Sequence, residues 1–426
     1  FRRVLFRSKS RKRNLSAYII LAFLYFAPVI DNFVGAAMRS TGEDTSLGKA
    51  YRLLFFVFLL IYYCTHTVKI ELAKFTVIAC TVIILPILYT FLHGTSAGMI
   101  TDYIQLSKLF YPIVLYNVLN NMITHKRMAA NDIYNCVGYY RWFYPLSLLV
   151  PYGLGLGYQS YEAYDAGYSG FYGAGNELSV VLVAMFIVSF YDTVNNKKKA
   201  AFVPSVMNMI CILLTGSKTG MIMLVVGTIV IMLHSSNAKK YLFRVIELIV
   251  ICVPIALGVL YLMQNQLNAI INMIQFKYNQ LGRDFISFLF SNRNKKIWPN
   301  FMNSIFDHKQ GFINLFLGRG YYDQAVLHKT SINIASSGLI EMDLFDMFFQ
   351  HGIIITIGVM TFYIKKLFGA TSQNKVWGMK FAAGIIMLFG ILAGHTFQSS
   401  LPATSLILLL ICADYMVGNE TIEKQR

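Results

Sequence analysis

The feature that most constrains this chain is a succession of apolar runs, each about the length of a membrane-crossing helix, with basic clusters in every second gap. A helix needs about 20 mostly apolar residues to cross the hydrocarbon. Such runs fall at roughly 15–38, 49–68, 71–92, 101–122, 131–155, 176–194, 200–215, 218–235, 241–263, 344–366, 376–394 and 401–418. The chain is 56% hydrophobic and only 13% charged, where a soluble protein averages about 25% charged. The sequence predicts an all-α polytopic membrane protein of about twelve transmembrane helices packed as one unit.

The basic clusters test that count. They lie at the N-terminus, at Lys69/Lys74, Lys126/Arg127, Lys197/Lys198/Lys199, Lys239/Lys240, Lys365/Lys366/Lys375 and Lys424/Arg426. A positive-inside arrangement needs this alternation, and a miscount of one span would break it. Both termini are therefore expected in the cytoplasm. The divisions are a basic N-terminus (1–14), spans one to nine (15–263), a large external loop with short amphipathic helices (264–343), spans ten to twelve (344–418) and a tail (419–426). No small-residue cleavage site follows the first apolar run, which reads as a retained span. The net charge of +17 sits in the connections, which points to orientation and not to nucleic acid. All six cysteines fall inside apolar stretches, as buried small hydrophobes do; neither disulfides nor a metal cluster is expected.

Several residues have the chemistry of a site. The long loop holds Lys277, Arg283, Arg293, Lys295, Lys296, Lys309, Arg319 and Lys329 against Asp284, Asp307 and Asp323. Such an excess suits either a solvated loop or an anion site, for which arginine offers a planar fork. Arg141 lies midway along span five, where a charge is costly; it reads either as functional or as the partner of Asp102 or Asp132. Asp102, Gln105 and Lys108 share one helical side. The turn "LLTGSKTGM" presents Lys218, and "GAGNELS" places Asn176 and Glu177 at the start of span six, where an acid also suits a helix N-terminus. In "SGLIEMDLFDMFFQHGIIITIG" (337–358), Glu341, Asp343 and Asp346 stand at the mouth of span ten. Glu341 and Asp343 lie two apart and cannot share a helical face, so one is expected to cap while the other points into a cavity. Tyrosines and phenylalanines crowd 156–172, as stacking faces for sugar rings or as an interfacial belt. No histidine spacing suggests a metal and no phosphate-cradling loop suggests ATP.

Three motifs then carry a resemblance: "TGSKTGM" with Lys218, "SNRNKKIWPNFMNSIFDH" (291–308) with Arg293 and Trp298, and "IEMDLFDMFFQHGIIITIG". With about twelve spans and one late outer loop, the chain resembles the O-antigen polymerase/ligase superfamily. Ligases of that family place a histidine where this chain has Glu341, eleven residues before Gly352, which tilts the resemblance towards the polymerase branch. The resemblance implies a GT-C-like architecture in a bacterial cytoplasmic membrane and a metal-independent, inverting glycosyl transfer at its outer face. The donor would be a glycan on polyprenyl pyrophosphate and the acceptor a second lipid-linked repeat unit, with no cofactor. A chain-length regulator and a flippase would be partners beside the bilayer. Glu341, Asp343 and Arg293 would be catalytic; Lys218, Arg283, Arg319, Arg141, Trp298 and Asn176 would bind substrate. The rival readings are a ligase using another acceptor, a twelve-helix transporter or flippase, and a scaffold of a cell-wall complex. A transporter would show helices broken in two matching halves, and the sequence has no internal repeat.

Overall fold

The computed structural model describes residues 15–42, 46–66, 69–93, 96–161, 164, 166–195, 198–234, 264–306, 310–325, 339–369, 376–394 and 396–423. Apart from two isolated bridges, Tyr158–Gly170 and Tyr161–Ala166, every regular element among them is helical. The helices are α1 (Leu15–Thr41), α2 (Ser46–His66), α3 (Lys69–His93), α4 (Met99–Thr124), α5 (Ala130–Gly153), α6 (Gly175–Val194), α7 (Phe202–Thr215) and α8 (Lys218–His234). Five short helices follow: α9 (Gln264–Gln280), α10 (Phe285–Leu289), α11 (Asn294–Phe301), α12 (Gly311–Leu317) and α13 (Tyr321–Ala325). Then come α14 (Asp343–Phe368), α15 (Trp377–Ala393) and α16 (Ser400–Glu423). The expected span at 241–263 lies outside the described residues, as do Asp307, His308, Lys309, His328 and Lys329.

Helices occupy the other eleven expected ranges, but by length and composition five of them can cross a membrane: Leu15–Thr41, Leu47–His66, Thr76–His93, Gly175–Val194 and Asp343–Phe368. The physical reasons for the shortfall differ. α7 has 14 residues and α8 and α15 have 17 each, below the ~20 that a perpendicular crossing needs. α4 and α5 carry Asp102, Lys108, Asp132 and Arg141 among tyrosines and asparagines, which lowers their hydropathy.

α6 and α16 form the centre. Residues 178–189 of α6 and 401–413 of α16 are buried without interruption, as befits helices apolar all round. α1, α2 and α3 instead leave Phe26, Phe33, Leu54, Ile61, Ile84 and Phe91 exposed, the apolar faces expected toward lipid. Neighbouring helices run antiparallel through short turns, so one end of the bundle collects the 153–175 connection, the α7–α8 turn, the start of α14 and the α15–α16 connection. Helices α9–α13 cover that same end, hereafter the loop end: Tyr89 Oη donates to Leu317 O (2.8 Å) and Tyr322 N to Asp102 Oδ1 (2.9 Å).

α14 is not one continuous helix. At Gly352 the backbone leaves helical geometry (φ 73°, ψ 175°). The freed carbonyls are taken by the incoming loop: Arg319 N donates to Phe349 O (3.0 Å) and Gly320 N to Gln350 O (2.9 Å). A Cβ on Gly352 would overlap the carbonyl of Phe316, and one on Gly318 that of Gln350. The two backbones touch, so both positions require glycine.

Candidate active site at the loop end of the bundle

The site begins with a turn. α7 ends because Gly216 adopts a left-handed conformation (φ 68°), the usual glycine stop. Ser217 then receives Gly220 N on its hydroxyl (3.3 Å), starting α8 with Lys218 as its first residue. Gly216 packs against Gly167 and Ile270, which seats α9 on this turn and on the 158–170 hairpin. Ile270 and Met273 of α9 are buried there with Ala166, beside Tyr161 and Tyr164.

This docking delivers Lys277. Its ammonium lies 4.2 Å from the Tyr161 ring centroid and 5.2 Å from that of Tyr164, distances at which a cation is drawn to the ring face. Burial pushes the Lys277 amine below its ordinary value and pushes the Tyr161 phenol up, the Arg293 charge opposing the latter. Lys218 Nζ donates to Phe288 O (3.0 Å) and sits 4.0 Å from the Phe288 ring centroid. Asp284 caps α10 by accepting from Ile286 N (3.0 Å) and the Ser287 hydroxyl (2.6 Å). The Ser287 hydroxyl holds the exposed Asp284 carboxyl below the usual carboxylate range.

Arg293 enters from the other side. Ser291 and Asn292 are both left-handed (φ 51° and 66°), and Arg293 follows at the start of α11. Its Nη2 and Nε donate to Glu341 Oε2 at 2.8 and 3.2 Å, leaving the Nη1 edge outside the pair. The Arg293 side chain is 11% exposed and that of Glu341 is 40% exposed, so the pair lies at a wall of the protein. Lys277 and Arg293 are both close enough to act electrostatically on Lys218. The loop end thus gathers three cations and two tyrosines, and one of the cations, Arg293, is paired with the half-exposed Glu341 carboxylate.

Glu341 is itself held in the left-handed region (φ 64°), an uncommon conformation for a residue with a Cβ. Asp346 fixes it there: its two oxygens accept from Ile340 N (2.9 Å) and Glu341 N (2.8 Å). Asp343 faces the opposite way, is 1% exposed, and accepts from Thr396 N and Phe397 N at 2.5 and 2.6 Å. The expectation that one of the two acids caps the helix is not met: the N-cap position is Met342 and no side chain bonds there. Asp343 anchors the α15–α16 connection, and Glu341 faces Arg293.

The other expected residues are placed elsewhere. Arg141 is buried and pairs with Asp192 (2.8 Å), with neither Asp102 nor Asp132. Asp192 lies fifteen residues beyond Glu177 on α6, roughly 22 Å down the axis at 1.5 Å per residue, so Arg141 stands apart from the cluster. Arg319 pairs with Asp323 (2.5 Å) where the loop meets the break in α14. Arg283 is exposed in the α9–α10 turn. Trp298 is 65% exposed and stacks on Phe301. Asn176 is half-buried in the first turn of α6, where the neighbouring Glu177 accepts from the Ser399 hydroxyl (2.5 Å). Of the aromatics in 156–172, Tyr168 and Tyr172 are buried and bonded to Leu156 O and the Ser147 hydroxyl; Tyr161 and Tyr164 reach the cluster. Lys277 was one cation among eight in the sequence, and only the apolar spacing of α9 hinted at its docking. Among the described residues, no three histidine, cysteine or acidic side chains converge to hold a metal ion.

No curated protein and no solved structure matches the chain. Residues 13–244, which include Lys218 and the 158–170 hairpin and stop short of Arg293 and Glu341, match the family described as O-antigen ligase like membrane protein. That match takes in more than half of the chain, and the chain belongs to this family of membrane proteins.

Proposed function

We propose that the chain is a polysaccharide polymerase that transfers a glycan from polyprenyl pyrophosphate to a second lipid-linked repeat unit. One observation carries the reading: at one end of the bundle Lys218 and Lys277 lie within electrostatic range of one another and Lys218 within that of Arg293, which is itself paired with the Glu341 carboxylate. Alternating basic clusters orient that end to the outer face of a bacterial cytoplasmic membrane, across which about twelve helices pass in a GT-C-like arrangement.

The chemistry follows from charge. Breaking the bond between the anomeric carbon and the diphosphate leaves negative charge on the departing oxygen. Fixed cations aimed at such developing charge are often the largest catalytic contribution, one donor being worth about 10²–10³ in rate. Arg293 offers its Nη1 edge, with Lys218 and Lys277 alongside, so side chains take the role of counterion. The acceptor hydroxyl needs a base within hydrogen-bond reach, and Glu341 presents a carboxylate to the open side. It takes the proton as the hydroxyl attacks from the face opposite the diphosphate, which inverts the anomeric centre. Tyr161 and Tyr164 offer ring faces to the sugars.

The family description favours one alternative, ligation of the glycan to a different acceptor. Reconstitution of the purified chain with lipid-linked repeat units separates the two: lengthening of the lipid-linked glycan supports polymerisation, and transfer to another anchor supports ligation. Glu341→Gln and Arg293→Ala proteins that lengthened glycan at the unmodified rate would refute the assigned roles.

A further inference from the structure

Helix α12 is inside out for a helix in water. The side it turns to the protein is small and polar: Gly311 and Asn314 are buried, and a Cβ on Gly311 would overlap the Ile305 carbonyl. Asn314 Nδ2 donates to Ser304 O (3.1 Å) in that interface. The opposite side is large and apolar. Phe312 is 76% exposed, and Ile313 and Phe316 are exposed beside it. Spacings of three and four residues set these side chains in one stripe, and the Phe312 and Phe316 rings meet edge to face with centroids 5.1 Å apart. A helix surrounded by water turns such a stripe inward. Leaving it in water forgoes about 1.5–3 kcal/mol for each large apolar side chain.

The neighbours of α12 fix its depth. Gln310 Nε2 donates to Leu92 O (3.0 Å), one residue before the end of α3, whose apolar stretch able to cross a membrane is Thr76–His93. Phe316 and Leu317 line the top of a groove of about 750 Å³. Its other walls are α3, from Ala73 to Leu88, and Ile354 and Ile355 of α14. Both of these helices are long and apolar enough to cross a membrane. Along the groove Val77, Ile84 and Ile354 are exposed. The stripe on α12 thus continues the outward apolar wall of two spanning helices, at the level where α3 ends.

We propose that α12 lies in the membrane surface, with Phe312, Ile313 and Phe316 sunk into the boundary between headgroups and hydrocarbon of the leaflet at the loop end. Interfacial helices bury their apolar face about 5–10 Å into that boundary. With seven residues, α12 is too short to stay there by its own affinity, and its ties to α3 and α14 hold it. The consequence is one of depth. Just past α12, Gly320 N donates to Gln350 O, and Asp346, one turn before Gln350, fixes the Glu341 backbone. The seat of α12 in the leaflet therefore sets the height of Glu341 above the hydrocarbon, whatever reaction that carboxylate serves.

The test uses the full chain, its natural cysteines replaced, in phosphatidylcholine nanodiscs. A nitroxide is attached at Phe312→Cys or Phe316→Cys, and power-saturation EPR compares its collisions with oxygen, which concentrates in hydrocarbon, and with a water-soluble nickel chelate. Both labels should keep the oxygen effect and lose most of the nickel effect, as a label at Ile84→Cys on α3 should. A label at Arg283→Cys, exposed in the α9–α10 turn, should keep the nickel effect. Nickel accessibility at both α12 positions equal to that at Arg283→Cys would place the stripe in water and overturn the assignment. Shielding from both reagents would overturn it too, because that marks cover by another segment or by a second copy of the chain. The unmodified chain gives a second measurement. A membrane-confined aryl diazirine photolysed in the same discs should modify the 310–318 peptide alongside α3, and modification of α3 without 310–318 would refute the proposal.

Discussion

Arg293 directs two nitrogens, Nε and Nη2, at a single oxygen of Glu341, a residue whose own backbone is held left-handed by Asp346. The Arg293 side chain is buried at 11% exposure and that of Glu341 is 40% exposed, so the carboxylate is the partner that the surroundings can solvate alone. Arg293→Ala leaves only that carboxylate behind and Glu341→Gln keeps an acceptor for the guanidinium, so each should lower the thermal unfolding midpoint in detergent only modestly. Activity should fall by about 10²–10³ for Arg293→Ala and about 10²–10⁴ for Glu341→Gln. Loss of stability in step with activity would mark the pair as structural.

The opposite outcome is expected deep in the bundle. Arg141 and Asp192 form a buried pair, and removing one partner of such a pair costs about 3–5 kcal/mol because the other charge is stranded. Asp192→Ala should lower the unfolding midpoint sharply, and replacing both with apolar residues of similar size should restore much of it. Differential scanning fluorimetry of the three proteins decides this.

At Gly352 and Gly318 a single methyl group is predicted to be disruptive. Each is left-handed and each abuts the other segment's carbonyls, so alanine adds both strain of about 1–3 kcal/mol and a steric overlap. Limited proteolysis should cut the 310–325 segment faster in either variant than in the unmodified chain.

Lys277 gives the site a pH dependence. Burial lowers its amine, so the charge is lost at a lower pH than for an ordinary lysine. Only the charged form attracts a diphosphate, so affinity for a diphosphate analogue should weaken as pH rises through that lowered value. Lys277→Arg should remove the share of that weakening that Lys277 carries, because arginine stays charged throughout, and leave the share carried by the neighbouring Lys218 amine. Titration calorimetry at several alkaline pH values measures both.

Topology is open to direct labelling. With the natural cysteines replaced, a cysteine at Arg283 or Trp298, both exposed on the loop helices, should react with an impermeant maleimide in intact cells. Protection at both sites would place the cluster on the cytoplasmic side and favour the transporter reading.

Helices long and apolar enough to cross hydrocarbon were the legible ones, and the runs at 15–38, 49–68, 176–194 and 344–366 needed nothing else. That Glu341 and Asp343 have different partners was legible from their separation, but the helix begins only at Asp343 and neither acid caps it. The break in α14 was not legible. Glycine is common in membrane helices, and what opens this one is contact with Phe316 and Leu317, some 35 residues away in the sequence. The choice of Lys277 and Arg293 from eight loop cations, and the partner of Arg141, were likewise set by helix docking that local pattern does not encode.

The backbone contact at the interrupted helix bears on engineering. Because Arg319 and Gly320 complete hydrogen bonds that α14 itself gives up, the covering segment and the first turns of that helix behave as one spliced unit. A chimera that imports a relative's loop while keeping this chain's α14 would leave two carbonyls unsatisfied inside the protein. Swaps meant to change glycan specificity should carry residues 310–352 across together.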